Sequence, residues 1–214
     1  MIELTDDKLI YRVLGVDNGT DTVGIAVIDH HLVTGLSKVV HAETLTASKT
    51  AYTRHEGRLD ARGKMHARLD VISTFFWEVL NEFDPDVIGC ESPFQHLHAQ
   101  SFAALTTAMN GLAETAFNYC TTLEFEKVAP GSAKKAVCPV GKYGNSKEHI
   151  REMIDINKSI VFDNGLSLVR LDEHSVDAIA VAHAVGTRVS LNAFWLRTGK
   201  AEKLALTLPA RGIS

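Results

Sequence analysis

Three cysteines in 214 residues, Cys90, Cys120 and Cys138, are too few and too widely spaced for a disulfide framework, and none lies in a Cys-x-x-Cys pair that would suggest zinc. No stretch approaches the roughly 18 to 20 apolar residues of a membrane span, and the opening residues lack the charged-then-apolar order of a secretory signal. A cytoplasmic protein with no membrane partner is expected. Net positive charge is missing as well, the formal charge being −4 and the pI about 6.2. Nucleic-acid affinity rests on Lys and Arg displacing counterions, so any DNA surface must be local. With 45% hydrophobic and 22% charged residues, the composition suits one compact domain.

Two segments concentrate positive charge. Residues 49–68 carry Lys49, Arg54, Arg58, Arg62, Lys64 and Arg68 against Glu56 and Asp60, and residues 134–151 carry Lys134, Lys135, Lys142, Lys147 and Arg151 against Glu148. Each segment has a net charge of +4. A solvated helix face is the ordinary meaning of one such run; two of them on an acidic chain are candidates for phosphate contact.

Apolar runs at 11–16, 23–28, 39–45, 87–90 and 123–128 predict five strands, the first two joined by the turn-forming Asp17-Asn18-Gly19-Thr20-Asp21. Helical spacing predicts helices over 54–83, ended by Asp84-Pro85, over 99–119, over 146–156 with Ser146 as N-cap, and over 173–189. Residues 129–144 read as mostly loop, and beyond Gly186 the pattern weakens towards an arm or tail. Three strands followed by alternating helices and strands predict an α/β fold with a mixed five-stranded sheet flanked by helices.

Asp17 and Glu91 each follow directly on an apolar strand, where open α/β sheets place their sites. Asp177 interrupts the apolar helix 173–189, and a partly buried acid there needs a partner. Singly, each has an ordinary role: an Asx turn for Asp17, a salt bridge or helix terminus for Glu91, exposure for Asp177. Converging, the three would repel one another unless a hard divalent cation such as magnesium or manganese neutralised them. His174 stands three residues before Asp177 on the same helix face, placed either to ligate metal or to orient an attacking water.

These segments resemble the RuvC family of Holliday junction resolvases. Residues 14–24, LGVDNGTDTVG, are similar to the family's opening hairpin with its first acid; residues 88–94, IGCESPF, resemble its second motif, with Glu91 followed by the aromatic Phe94 in a junction-contacting loop. Residues 174–182, HSVDAIAVA, resemble the terminal motif, in which two ligands spaced by three precede small and aliphatic residues; many members have Asp where His174 stands and some have His. Residues 135–148 resemble the Lys, Gly-x-Gly, Lys segment, with one extra residue between Gly141 and Gly144. The likeness runs in consistent order over roughly residues 11–187.

The resemblance implies a ribonuclease H-like nuclease domain over 1–190, with 191–214 as a C-terminal extension or arm, in a viral or phage-type member among others. It implies that Asp17, Glu91, His174 and Asp177 bind two magnesium ions, with manganese able to substitute, Asp17 bridging them and Lys147 and Lys135 neutralising the scissile phosphate. Phe94 would stack on an unpaired base, with Arg54, Arg58, Arg62, Lys64, Arg68, Lys134 and Lys142 as DNA contacts. The substrate would be branched DNA, above all four-way junctions, cut by a homodimer that matches the junction's two-fold symmetry, with the small-residue helix 99–119 as a candidate interface. The setting would be the cytoplasm of a bacterium or infected host cell, or an organellar matrix.

Three other readings compete. The strand-Asp-x-Gly-Thr opening also resembles the first phosphate loop of the actin, sugar kinase and Hsp70 group, whose second phosphate loop and adenosine motif are not found in these 214 residues. A junction-binding protein without chemistry would not need all three acids. A nuclease of the same fold acting on RNA–DNA hybrids or other branched DNA keeps the same metal geometry.

Overall fold

The computed structural model of the chain describes residues 10–54, 56–93, 98–138 and 147–198; the side chains at 51–54, 56–60, 62, 147–148 and 189–198 are outside that description. Six strands form one sheet: β1 (Ile10–Asp17), β2 (Thr22–His31), β3 (Ser37–Thr46), β4 (Val87–Glu91), β5 (Glu124–Val128) and β6 (Ile160–Phe162), in the order β5-β4-β1-β2-β3-β6. β1, β2 and β3 are an antiparallel meander, while β4 pairs parallel with β1, β5 with β4 and β6 with β3. The helices are α1 (Ala47–Arg54), α2 (Glu56–Phe83), α3 (Ala99–Tyr119), α4 (Pro130–Val137), α5 (Lys147–Ile156) and α6 (Glu173–Thr198).

The mixed α/β sheet flanked by helices is the expected fold class, with one strand more than the five predicted: β6 has only three residues, too short for an apolar period to register. The segment 129–144, expected as loop, contains α4. Pro130 is helix-compatible at the first turn, and Ala133 and Val137, four apart, bury one face. α6 runs on to Thr198, past the predicted end at Val189, and residues 199–214 lie outside the described residues. α2 is kinked at Gly63, whose φ of 79° takes it out of helical geometry.

Each face of the sheet has its own core. Leu14, Val16, Ile25, Val27, Ile88 and Cys90 pack under α2 and α3, and Val13, Ala26, Ile28, Val39 and Val87 pack under α4, α5 and α6. Strand alternation produces this division. One register shift, between Val27 and Ile28, makes β3 depart from it: Val27 pairs with His41 but Ile28 pairs with Val39, so Val40 is an extra residue.

α6 lies unusually close to the sheet, and glycines make that approach feasible. A Cβ on Gly15 of β1 would stand 2.2 Å from the Ala178 carbonyl, and one on Gly24 of β2 would stand 2.2 Å from the His174 carbonyl. Only hydrogen side chains there let the first turns of α6 reach the ends of the strands. Among the described residues, no helix is long and apolar enough to cross a membrane.

Candidate metal centre

Parallel pairing of β1 with β4 sets Val16 against Cys90, so the next residues, Asp17 and Glu91, end neighbouring strands side by side. Asp17 shares its face with Gly15, and Glu91 shares its face with Gly89; both glycines abut α6. The acids therefore face the helix that carries His174 and Asp177. Across β2, Gly24 is the register partner of Asp17 and lies directly beneath His174.

His174 Nδ1 and Asp17 Oδ2 are 2.7 Å apart. A carboxylate can only accept, so the imidazole donates. Glu91 also shares a hydrogen bond with Asp17, and its carboxyl is pushed up to about 8, first by burial, then by that hydrogen bond and by the charges of Asp17 and Asp177, with Lys134 opposing. Two hydrogen-bonded carboxyls hold one proton between them. Beside them, burial first and the neighbouring Glu91 and Asp17 charges next raise the Cys90 thiol well above its ordinary range, which makes it an inert core residue.

The first turn of α6 is built to be rigid. Asp172 accepts from the backbone N–H of Ser175 at 2.9 Å, capping the helix, and from the Thr44 hydroxyl at 2.6 Å, tying it to β3. Asp21, in the turn after Asp17, caps α1 through Ser48 N at 2.8 Å and lies 3.8 Å from Arg68. Asp172 is not among the residues singled out above, although it stands three residues before Ser175 at the head of an apolar helix, an N-cap signature.

The donor set fits a hard divalent cation. Asp17, Glu91 and Asp177 offer carboxylate oxygens in electrostatic contact, in excess of the positive charge around them, and His174 offers a ring nitrogen. Among the described residues, no three His, Cys, Asp or Glu side chains are already gathered as a cage. Asp17 and Glu91 close on each other through a hydrogen bond, and a cation held by both would have to displace the proton on Glu91.

The expected basic residues separate. Among the described residues, the charge of Lys134 reaches Glu91. Lys135, the one matched to the catalytic segment, instead lines a cavity of about 240 Å³ with Ser132, Ala184, Thr187 and Arg188. Lys64 is exposed, and Arg68 is engaged by Asp21 and donates to the Lys64 carbonyl at 3.3 Å. Arg151, counted in the second basic segment, is spent on the carbonyls of Leu168 and Leu171. Lys147 opens α5, but its side chain, like those of Arg54, Arg58 and Arg62, is outside the description; Phe94 and Lys142 lie outside the described residues.

The sheet order, with acids ending β1 and β4 beneath a single helix, defines a nuclease-type ribonuclease H-like fold. It is shared with the Thermus thermophilus RuvC solved in complex with Holliday junction substrate, at a TM-score of 0.66 and 19% identity over 85% of this chain and 96% of that one. The yeast mitochondrial Holliday junction resolvase Ydc2 has a TM-score of 0.61 and 14% identity, over 86% of this chain and 81% of that one. The family described as crossover junction endodeoxyribonuclease RuvC matches residues 13–184, and the chain belongs to it. A crossover junction endodeoxyribonuclease RuvC from Variovorax paradoxus (strain S110) is 29% identical over 143 residues, 67% of this chain and 70% of that protein. The chain is thus an endonuclease of the junction-resolving family, which sets the actin-type alternative aside.

Proposed function

We propose that this chain resolves four-way DNA junctions as a magnesium-dependent homodimer, using Asp17, Glu91, His174 and Asp177 as the metal-holding set. The reading rests chiefly on one observation: Asp17 and Glu91 end adjacent parallel strands, and Asp17 is bonded at 2.7 Å to His174 from the helix above. Magnesium, when bound by these residues, supplies water activation and charge neutralisation at the phosphate, with manganese as a substitute.

The chain's own groups do the rest. His174 holds Asp17 in one rotamer through its Nδ1–H. Glu91, protonated toward Asp17 without a cation, would be a full carboxylate donor to one once that proton had left. Lys134, near enough to oppose the rise in Glu91, carries the positive charge best placed to meet a scissile phosphate; we assign it the role that the sequence suggested for Lys135. Lys147, which opens α5, shares that role, while Phe94 and the basic segment around Lys64 grip the junction.

Symmetry favours a dimer, since two sites related by a two-fold axis can nick two opposed strands. α3 has Phe102 and Phe117 exposed on its surface, and this helix suits a second copy of the chain. The reading places the protein in the compartment that holds its DNA, the cytoplasm of a bacterial or infected cell.

Labelled four-way junction, linear duplex and RNA–DNA hybrid, each incubated with and without magnesium, test the proposal. Paired symmetric nicks confined to the junction and dependent on magnesium are expected; preferential hybrid cleavage would replace it with a ribonuclease H activity.

A further inference from the structure

Far along α6 from the acids, two imidazoles and one hydroxyl are sealed between helix and sheet. His30 of β2, Ser37 of β3 and His183 of α6 are 0%, 0% and 3% exposed. Ser37 Oγ lies 2.7 Å from His30 Nδ1 and 2.8 Å from His183 Nδ1. None of the three takes part in the chemistry above.

The β3 bulge is what delivers Ser37 to this place. His30 and Ser37 are direct cross-strand partners, and Ala42 and Val39 both pack under α6 although they are an odd number of residues apart. The extra residue, Val40, packs with the α2 and α3 layer, and so does His41, whose ring stacks 4.8 Å from Phe83. Without the bulge, strict alternation would turn Ser37 to the opposite core, away from both rings.

The bonding has a direction. Ser37 has one hydroxyl proton, so it donates to one ring and accepts from the other. His30 Nε2 is buried with no hydrogen-bond partner among the described residues, and an orphan buried N–H is rarer than an unused acceptor. His30 therefore carries its proton on Nδ1 and donates to Ser37, which donates to His183 Nδ1, leaving His183 protonated on Nε2. The chain holds only while both rings are neutral. Burial, with His31 adding repulsion to His30 and His30 adding repulsion to His183, keeps both down at about 4. Gly186, whose Cβ would lie 3.0 Å from the His30 ring, closes the α6 side.

We propose that Ser37, gripped between His30 and His183, is a positioning residue for the metal centre: it fixes how far along the sheet α6 sits, and hence where His174 and Asp177 stand over Asp17 and Glu91. His183 is nine residues from His174 on one helix, about 13 to 14 Å along its axis. The sheet contacts along this stretch, Ala178 over Gly15 and Val181 over Gly89, and Val185 just beyond it, are non-directional and tolerate sliding. At its first turn α6 is held by Thr44 and by the very His174–Asp17 bond to be positioned, and at Arg188 by a surface ion pair with Glu126. A second hydroxyl tie, Thr44 to Ser175 at 2.8 Å, belongs to the same first turn, whereas the bond from Ser37 to His183 is a buried directional one set far from it.

The inference rests on the metal-set assignment above, and its test reads metal binding separately from cleavage. Nitrogen-15 NMR of the histidine rings in the wild-type protein should find two neutral rings of opposite tautomer at pH 5.5. Ser37→Ala, studied well below its melting temperature, should bind manganese at least fivefold more weakly and cleave junctions at least tenfold more slowly, with junction affinity in calcium within twofold of wild type. Two rings of the same tautomer, a charged ring at pH 6, or wild-type manganese affinity in Ser37→Ala would overturn the proposal. Weakened manganese binding in Ser37→Ala, in a protein whose wild type cuts no junction, would instead uphold the positioning and overturn the nuclease reading. If Ser37→Ala fails to fold, the tautomers of the wild-type rings decide alone.

Discussion

His174 donates its Nδ1–H to Oδ2 of Asp17 across 2.7 Å, tying the first turn of α6 to the end of β1. With Nδ1 committed to Asp17, Nε2 is the ring nitrogen left to meet a cation, and the Glu173 carboxylate lies 3.7 Å from it. Removing the ring by His174→Ala should slow single-turnover junction cleavage about 10- to 100-fold, the usual loss when a metal set loses a supporting donor. Quenched-flow rates at saturating enzyme would check this.

Gly24 should tolerate no side chain. A methyl group there would stand 2.2 Å from the His174 carbonyl, which is backbone and cannot rotate away. Gly24→Ala should destabilise the fold by about 1 to 3 kcal/mol in urea unfolding, as overpacking does, and should remove junction cleavage even where the protein remains folded. Gly35, with open space around it, should accept alanine without effect on cleavage, although its φ of 71° carries a stability cost.

Glu91 gives the metal-free protein a pH dependence with a definite sign. Its folded value of about 8 lies above the ordinary 4.5, so the folded state holds the proton more tightly than the unfolded state. Stability from this group is complete below pH 4.5 and is lost as pH rises towards 8. Glu91→Gln keeps a donor to Asp17 without the charge. In EDTA at pH 8 it should therefore be more stable than wild type by about 1 to 3 kcal/mol, the advantage vanishing near pH 5. Urea midpoints at the two pH values would measure it, and the same variant should have lost cleavage.

The two adjacent lysines of α4 should separate by function. Lys134→Ala removes the charge that opposes the rise in Glu91, whereas Lys135→Ala alters the cavity beside Arg188. Cleavage at saturating junction should fall about 100-fold in the first and less than about threefold in the second, in line with loss of one charge-stabilising group. Equal losses would return the role to Lys135 as well.

What the sequence displayed and what it concealed follow from the range of the signals. Asp17 and Glu91 were visible because each ends an apolar strand, and α3 was readable from Ala99 to Tyr119 because its small and apolar residues keep a helical period. Lys135 was set above Lys134 for the phosphate by the resemblance alone; spacing could not choose between them, since adjacent helix positions point about 100° apart and their segment read as loop rather than helix. Gly15, Gly24 and Gly89 look like weak points in strands until α6 is laid over them. The β3 bulge leaves no mark in composition or period, so the meeting of His30, Ser37 and His183 was hidden, being a product of register. β6 has three residues and owes its place to pairing with β3.

The most direct measurement compares wild type with Asp17→Asn on a labelled four-way junction in magnesium, with junction affinity measured in calcium. The account predicts paired symmetric nicks from the wild type and a rate at least about a thousandfold lower from Asp17→Asn at unchanged affinity. Cleavage by Asp17→Asn at the wild-type rate would contradict it.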